Sequence, residues 1–520
     1  MAQAKLKPKT TPTQKLLQSR LSGILVHPSS LPGGYGIGDL GSSSHEFIDF
    51  LCAAKQSLWQ VLPMGPTSLE EFHSPYATVS AFAGNPLLIS LESLISEGLL
   101  ERSALKRQLQ INPINRDRRK INFKELPNFT TPLLLQAVSN FSGAKAEKEI
   151  ESFIQSNPWV TEYSEYAALR SNFRRPRFEW PKEFRLKTPQ TQKALKSLIT
   201  AADIRTELVI QLFFFKQWNK LKRYAHSKGV KLVGDLPIYV SNDSADVWAN
   251  PSYFEIDPQS GAPTLISGVP PDIFNSNGQL WGHPLYNWKN IKKDRFSWWI
   301  KRFRTAQSSF DLVRLDHFRG FESYWAVSGS AKIAKHGKWL PCPGNELFNA
   351  VKKDLGELPI IVEDLGVITA PVDALREGFG LMGTRVLQFA FSGDPKKASE
   401  NRDHPINIPH NSVVYTGTHD NAPSLEWFSE LPRVNQLKLR SILNDCSTKD
   451  VARNFTRLAL ASPARFCILP IQDVLEVGKG NRMNYPGLAD WKNWSWRFEN
   501  IPSQTAKRLA HLTEVYERCG

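Results

Sequence analysis

The chain has 520 residues and 58.8 kDa, with 41% hydrophobic and 22% charged residues, a globular composition that excludes wholesale disorder. Mean hydropathy is −0.34 and no uninterrupted apolar run of about 18 residues occurs, so no transmembrane helix is expected. A net charge of +15 permits an anionic partner without demanding one, and five cysteines without a C-x-x-C argue against a disulfide framework or zinc site and fit a reducing compartment.

Residues 1–20 are basic and free of acids but lack an apolar segment, so they read as a disordered tail rather than a secretory leader. A cytoplasmic location is expected, with the plastid stroma as the alternative if this stretch is a transit remnant. Short apolar runs then recur at Ser22–His27, Leu58–Pro63, Lys231–Pro237, Asp311–Asp316, Pro359–Asp364, Arg385–Phe391, Ser412–Gly417 and Phe466–Ile471. Each has the length and β-branched content of a strand buried on both faces. Helical patterns lie between several of them, such as Ser44–Ala54, with Ser44 as a candidate N-cap, and Glu207–Tyr224. Eight strands with helical crossovers predict a (β/α)8 TIM barrel, an α/β fold, over residues 21–520 as a single catalytic domain. Residues 95–202 read as a largely helical insertion, with Thr131–Asn140 and Ala144–Ser156 as candidate helices and basic clusters at Arg116–Lys120 and Arg174–Arg177. Residues 241–290 read as a long irregular loop rich in Gly, Pro and aromatics, a kind of segment that is more often functional than accidental. Only about 50 residues follow the last strand, too few for a C-terminal β-sandwich.

Three acids close predicted strands: Asp316 after Val313-Arg314-Leu315, Glu363 after Ile360-Ile361-Val362, and Asp420 after Tyr415-Thr416-Gly417-Thr418-His419. Singly, each could cap a helix or pair with an arginine. Jointly they converge, because carboxyl ends of barrel strands share one mouth. Two carboxyls across a glycosidic bond can divide the work of nucleophile and general acid. His317 and His419 adjoin two of these acids, and neutral imidazole suits sugar hydroxyls. No ligand spacing such as H-x-x-x-H occurs, so no metal is expected. Gly36–Gly41 fits G-x-G-x-x-G but does not directly follow a strand, so no nucleotide cofactor is expected.

At this point the motifs become recognisable. They include His27–Pro32, Tyr35–Gly41, Ser74–Tyr76, Ser80–Pro86, Gly234–Val240, Asp243–Trp248, Gly268–Asp272, Gly278–Gly282, Arg314–Gly320, Glu363–Gly366, Thr418–Asn421, Asn481–Gly487 and Trp494–Arg497. In order and spacing the sequence closely resembles the 4-α-glucanotransferases (amylomaltase or disproportionating enzyme), glycoside hydrolase family seventy-seven of the α-amylase clan. The resemblance implies retaining transfer of α-1,4-glucan segments from a maltodextrin to the 4-OH of glucose or another maltodextrin, with no metal or cofactor. It implies Asp316 as nucleophile, Glu363 as acid/base and Asp420 as the third carboxylate. Asp235, His317 and His419 match donor-site contacts, Tyr76 and Trp281 match aromatic platforms, and Gln279 and Asn484 match further substrate contacts. Arg314 is expected to keep Asp316 ionised, while apolar Ile361 and Val362 favour a protonated Glu363.

The expected partners are malto-oligosaccharides, glucose and starch- or glycogen-type α-glucans, with no nucleic acid and no membrane. The oligomeric state is left open. An α-glucan hydrolase of the same clan shares the two-carboxylate apparatus and is the nearest rival. A silent glucan-binding protein would not need a protonatable acid beside a nucleophile, and the basic clusters carry no nucleic-acid-binding motif.

Overall fold

The computed structural model describes residues 11–114, 117–271 and 276–519. Eight parallel strands form a closed barrel: β1 Leu21–Leu25, β2 Leu58–Gln60, β3 Lys231–Leu236, β4 Leu312–Leu315, β5 Ile360–Val362, β6 Met382–Val386, β7 Ser412–Tyr415 and β8 Phe466–Pro470. Each strand pairs with its neighbour in sequence, and β8 closes on β1 from Leu21↔Phe466 to Leu25↔Pro470. Nearly every strand residue is buried, because helices cover the outside and side chains fill the inside. Two of the large polar side chains within are paired: Tyr415 donates to Gln60 Oε1 at 2.8 Å, and Trp59 Nε1 donates to the Val26 carbonyl at 2.9 Å. Gly234 is needed in β3 because a Cβ there would lie 2.3 Å from the ring of Phe310.

Four expectations need correction. The sixth strand is Met382–Val386, not Arg385–Phe391; the apolar run from Leu387 continues as the helix Leu387–Ser392. A short apolar run fits a strand or a buried helix equally well by periodicity. Here Asp403 takes the Val386 N–H at 2.9 Å and Gln388 anchors to the Ala422 carbonyl, which ends the strand early. Gly41, not Ser44, occupies the N-cap of Ser42–Ala53, and the Ser44 hydroxyl instead donates to the Asp39 carbonyl.

Residues 241–290 are not irregular throughout. They contribute strands Leu265–Val269 and Gln279–Pro284, which join Ser323–Ser328 and Lys338–Pro341 in a four-stranded antiparallel sheet. Leu265–Val269 pairs with Ser323–Ser328, over 50 residues downstream, a pairing that local pattern cannot reveal. Finally, the tail is not disordered throughout: Pro12–Gln18 is a helix with a Thr11/Gln14 capping box. Leu16 and Leu17 pack on the core, and Arg465 donates to the Leu17 carbonyl at 2.8 Å. Residues 1–10, Arg116 of the basic cluster and Asp272 of the Gly268–Asp272 motif lie outside the described residues.

Between β2 and β3 the chain forms Arg102–Ile111, Leu126–Asn140, Ala144–Ser156, Trp159–Phe173 and Pro189–Leu198 before the long helix Ala201–Ser227. Buried Asp243, beyond β3, ties this region to the barrel. It accepts from Tyr166 at 2.6 Å, Arg170 Nε at 3.1 Å and the Arg177 N–H at 2.7 Å. After β8 come the helices Ile471–Val474 and Ser503–Val515.

Candidate active site

The carboxyl ends of the strands open into a cleft of about 560 Å³. Arg314, on β4, is the electrostatic hub, with only 5% of its side chain exposed. Its Nη1 donates to both oxygens of Asp235 on β3, at 2.8 and 2.7 Å, and lies 3.2 Å from Asp316 Oδ1. Its Nη2 donates to Glu363 Oε2 at 3.1 Å. One guanidinium thus bridges three carboxylates from three strand ends, the forked geometry that arginine supplies and lysine does not. His317 follows Asp316 with φ 47°, a left-handed turn that aims its own N–H at Glu363 Oε2, 2.9 Å away. Burial brings the His317 imidazole down to about 4, so it is neutral at pH 7.

Two walls face each other across these acids. On one, Tyr76 donates to Asp235 Oδ2 at 2.8 Å and lies flat on His419, ring centroids 5.1 Å apart and 13° between planes. Beyond it Asp420 accepts from Asn484 Nδ2 at 2.6 Å, while His419 Nε2 lies 3.4 Å from Asp420 Oδ1. Arg482 holds the Asp420 carbonyl at 2.8 Å. On the other wall Trp281, half-buried in the strand Gln279–Pro284, meets His317 edge-on with centroids 4.7 Å apart. Gln279 accepts from Trp281 Nε1 at 3.5 Å. Asp235, Arg314 and all nine other residues singled out from sequence therefore lie at this one mouth.

This constellation sits in a chain whose residues 26–503 match the sequence profile of the 4-alpha-glucanotransferase family. The chain belongs to that family. It is 42% identical over 516 residues to the 4-alpha-glucanotransferase of Synechocystis sp., covering 97% of this chain and 99% of that one. Identity to the chloroplastic/amyloplastic 4-alpha-glucanotransferase of Solanum tuberosum is 40% over 526 residues, covering 98% and 88%. Among solved structures, amylomaltase from Streptococcus agalactiae in complex with acarbose matches with a TM-score of 0.91 at 35% identity, covering 96% of this chain and 99% of that one.

Within this 4-alpha-glucanotransferase fold the proton arrangement differs from the expectation. Asp316 and Glu363 share the Arg314 guanidinium, and burial plus the Glu363 charge push Asp316 well above the ordinary carboxylate range. Glu363 is buried too, but Arg314, Asp316 and the His317 N–H hold it below its usual value. The two shifts run in opposite directions, so Asp316 is the carboxyl that favours the proton and Glu363 the one that favours the charge. Ile361 and Val362 do not decide the matter, because Glu363 Oε2 accepts both from Arg314 Nη2 and from the His317 N–H.

The cleft also contains Glu71, Tyr239, His283, Lys332, Ile333 and Tyr485, none singled out from sequence. Tyr239 and Tyr485 stand inside recognisable motifs and could have been found there. Glu71 and Lys332 have no such signal. Asp364, beside the acid Glu363, is fully buried among Arg376, Arg385 and Arg402 and accepts the Thr384 N–H at 2.7 Å. It ties β5 to β6 and does not line the cleft.

Proposed function

We propose that the protein is a 4-α-glucanotransferase that disproportionates maltodextrins through a covalent glycosyl–Asp316 intermediate. The observation that carries this reading is the carboxyl pair Asp316–Glu363, bridged by the guanidinium of Arg314. Donor binding shifts a proton from Asp316 to Glu363, leaving Asp316 ionised and Glu363 acidic. An Asp316 oxygen then attacks C1 of the donor sugar as the C1–O4 bond breaks, and Glu363 gives its proton to the departing O4. The released glucan leaves, and an acceptor takes its place. Glu363 removes the proton of the acceptor 4-OH as that oxygen attacks C1 and releases Asp316. The proton removed equals the proton given, so the pair returns to its starting state.

Asp420, held by Asn484, is placed to bind hydroxyls of the reacting ring and favour its distortion towards an oxocarbenium shape. Asp235, His317 and His419 bind the same ring. The face of Tyr76 that lies on His419 is covered, so its platform role falls to the other face. Trp281 and Gln279 form the wall against which the acceptor packs, keeping it in attack geometry while excluding water. The substrates are starch- or glycogen-type α-glucans, malto-oligosaccharides and glucose. A cytoplasmic site, or the plastid stroma, accords with the absence of a membrane-length apolar helix among the described residues and with the plastid relative.

Incubating the purified protein with maltotriose tests the proposal. Glucose together with maltodextrins longer than maltotriose is the expected product set. Glucose and maltose alone would mark a hydrolase instead.

A further inference from the structure

The hairpin between the strands Ser323–Ser328 and Lys338–Pro341 is basic. It carries Lys332, Lys335, His336 and Lys338, and no acidic residue occurs between Glu322 and Glu346. Charged hairpin tips usually wave in solvent, but this one is pinned. Ala334 is fully buried with Ile266 and Val327, and its carbonyl accepts from Trp325 Nε1 at 2.8 Å. It also packs on the start of the Trp281 strand, where a Cβ on Gly278 would lie 3.0 Å from that of Ala334. Just before Ala334, Lys332 and Ile333 line the cleft beside Gln279, Leu280 and Trp281. Lys332 is the one lysine or arginine among the described cleft-lining residues, and neither it, Lys335 nor Lys338 forms an ion pair among the described residues.

Glu363 sets where this hairpin lies relative to the chemistry. The acid/base protonates the departing oxygen, so departing and incoming glucans lie on its side of C1. The His317 N–H contacts Glu363 and the His317 ring meets Trp281, which places the Trp281 wall, and Lys332 with it, on that side. An acceptor attacking through its 4-OH extends its reducing end outward along this wall. The carboxylates at the centre repel an anion from the reacting ring, whereas the unpaired ammonium groups attract one at the rim.

Resting on the transferase reading above, we infer that Lys332 and its hairpin form a subsite for an anionic group, a carboxylate or phosphate monoester, carried on the acceptor glucan outside the reacting ring. A single exposed ammonium contact is worth about a two- to fivefold preference. With soluble starch as donor, kcat/KM would be measured for paired acceptors: maltose and maltobionate, maltotriose and its reducing-end acid, glucose and glucose 6-phosphate. The two acids act as a ruler for a carboxylate at successive distances, and the sugar phosphate tests the phosphate source. The anionic member is expected to win in at least one pair at low salt, and the preference should fade at about 0.5 M salt, where screening is strong. Lys332→Gln should bring that ratio to one or below.

A wild-type preference for the neutral member in every pair, or a preference that survives Lys332→Gln, would overturn the inference. Lack of transfer to maltose itself would instead count against the transferase reading. Calorimetric titration with maltotriose and its acid would then still decide, because an anionic subsite must bind the acid more tightly.

Discussion

Arg314 and Asp235 face each other directly across the β3–β4 ladder, and the guanidinium donates to both carboxylate oxygens. Neither side chain reaches solvent to a useful extent: Asp235 is 0% and Arg314 5% exposed. The pair lies buried beneath the cleft, and the guanidinium also reaches the two acids that carry the proposed chemistry. Arg314→Met would leave buried carboxylates uncompensated, a loss of about 3–5 kcal/mol for a broken buried pair. Denaturant unfolding should show that loss near neutral pH and a smaller one in acid, where the stranded carboxylates take up protons. Equal losses at both pH values would show that packing, not charge, is what Arg314 supplies.

Asp316→Asn separates catalysis from stability. Removing the nucleophile should lower transfer about a thousandfold or more. The fold should gain, because the Asp316 carboxyl is raised above its unfolded value and so favours folding only when protonated. Its stabilising contribution is complete below the unfolded value of about 4 and declines as pH rises towards the folded one. Thermal melts of the variant and wild type should therefore diverge from about pH 4 upward, with the variant the more stable. Lower stability of the variant at neutral pH would contradict the raised Asp316 and place the proton elsewhere.

Glu363→Gln should spare the first half-reaction of a donor with a good leaving group. A glycosyl fluoride needs little acid help to depart, so Asp316 should still be glycosylated. The next step then lacks its base, and mass spectrometry of the intact protein should find one added glycosyl unit. A verified variant that consumes the fluoride without ever carrying that mass would remove Glu363 from the role.

Trp281→Ala tests the acceptor wall. Trp281 is half-buried at a sheet edge, so truncation should cost less than the roughly 3–5 kcal/mol of a core tryptophan. Loss of a stacking face worth about 1 kcal/mol should lower the ratio of transfer to hydrolysis about fivefold. Transfer to glucose, hydrolysis and melting temperature would be measured on the same preparation. A constant ratio with a large drop in melting temperature would leave Trp281 as packing alone.

Sequence by itself was enough for the barrel and for which acids meet at its mouth, because both are written locally. A buried parallel strand is a short apolar run, and seven of the eight were placed within a few residues of where they lie. The acids Asp316, Glu363 and Asp420 were legible because a barrel brings the ends of its strands together whatever the loops between them do. The failures share one cause, which is that the deciding partner is distant. The run Leu387–Phe391 reads as strand until Asp403 and Ala422 are in place to end β6 and start a helix. Lys332 carries no motif, and only the pairing of Ser323–Ser328 with Leu265–Val269 brings it to the cleft. The opposite directions of the two carboxyl shifts were not legible for the same reason. Apolar neighbours in sequence suggested a protonated Glu363, but carboxyl protonation follows the donors that point at each oxygen. Those donors, Arg314 Nη2 and the His317 N–H, are fixed by the register of β4 against β5 and by a left-handed turn at His317.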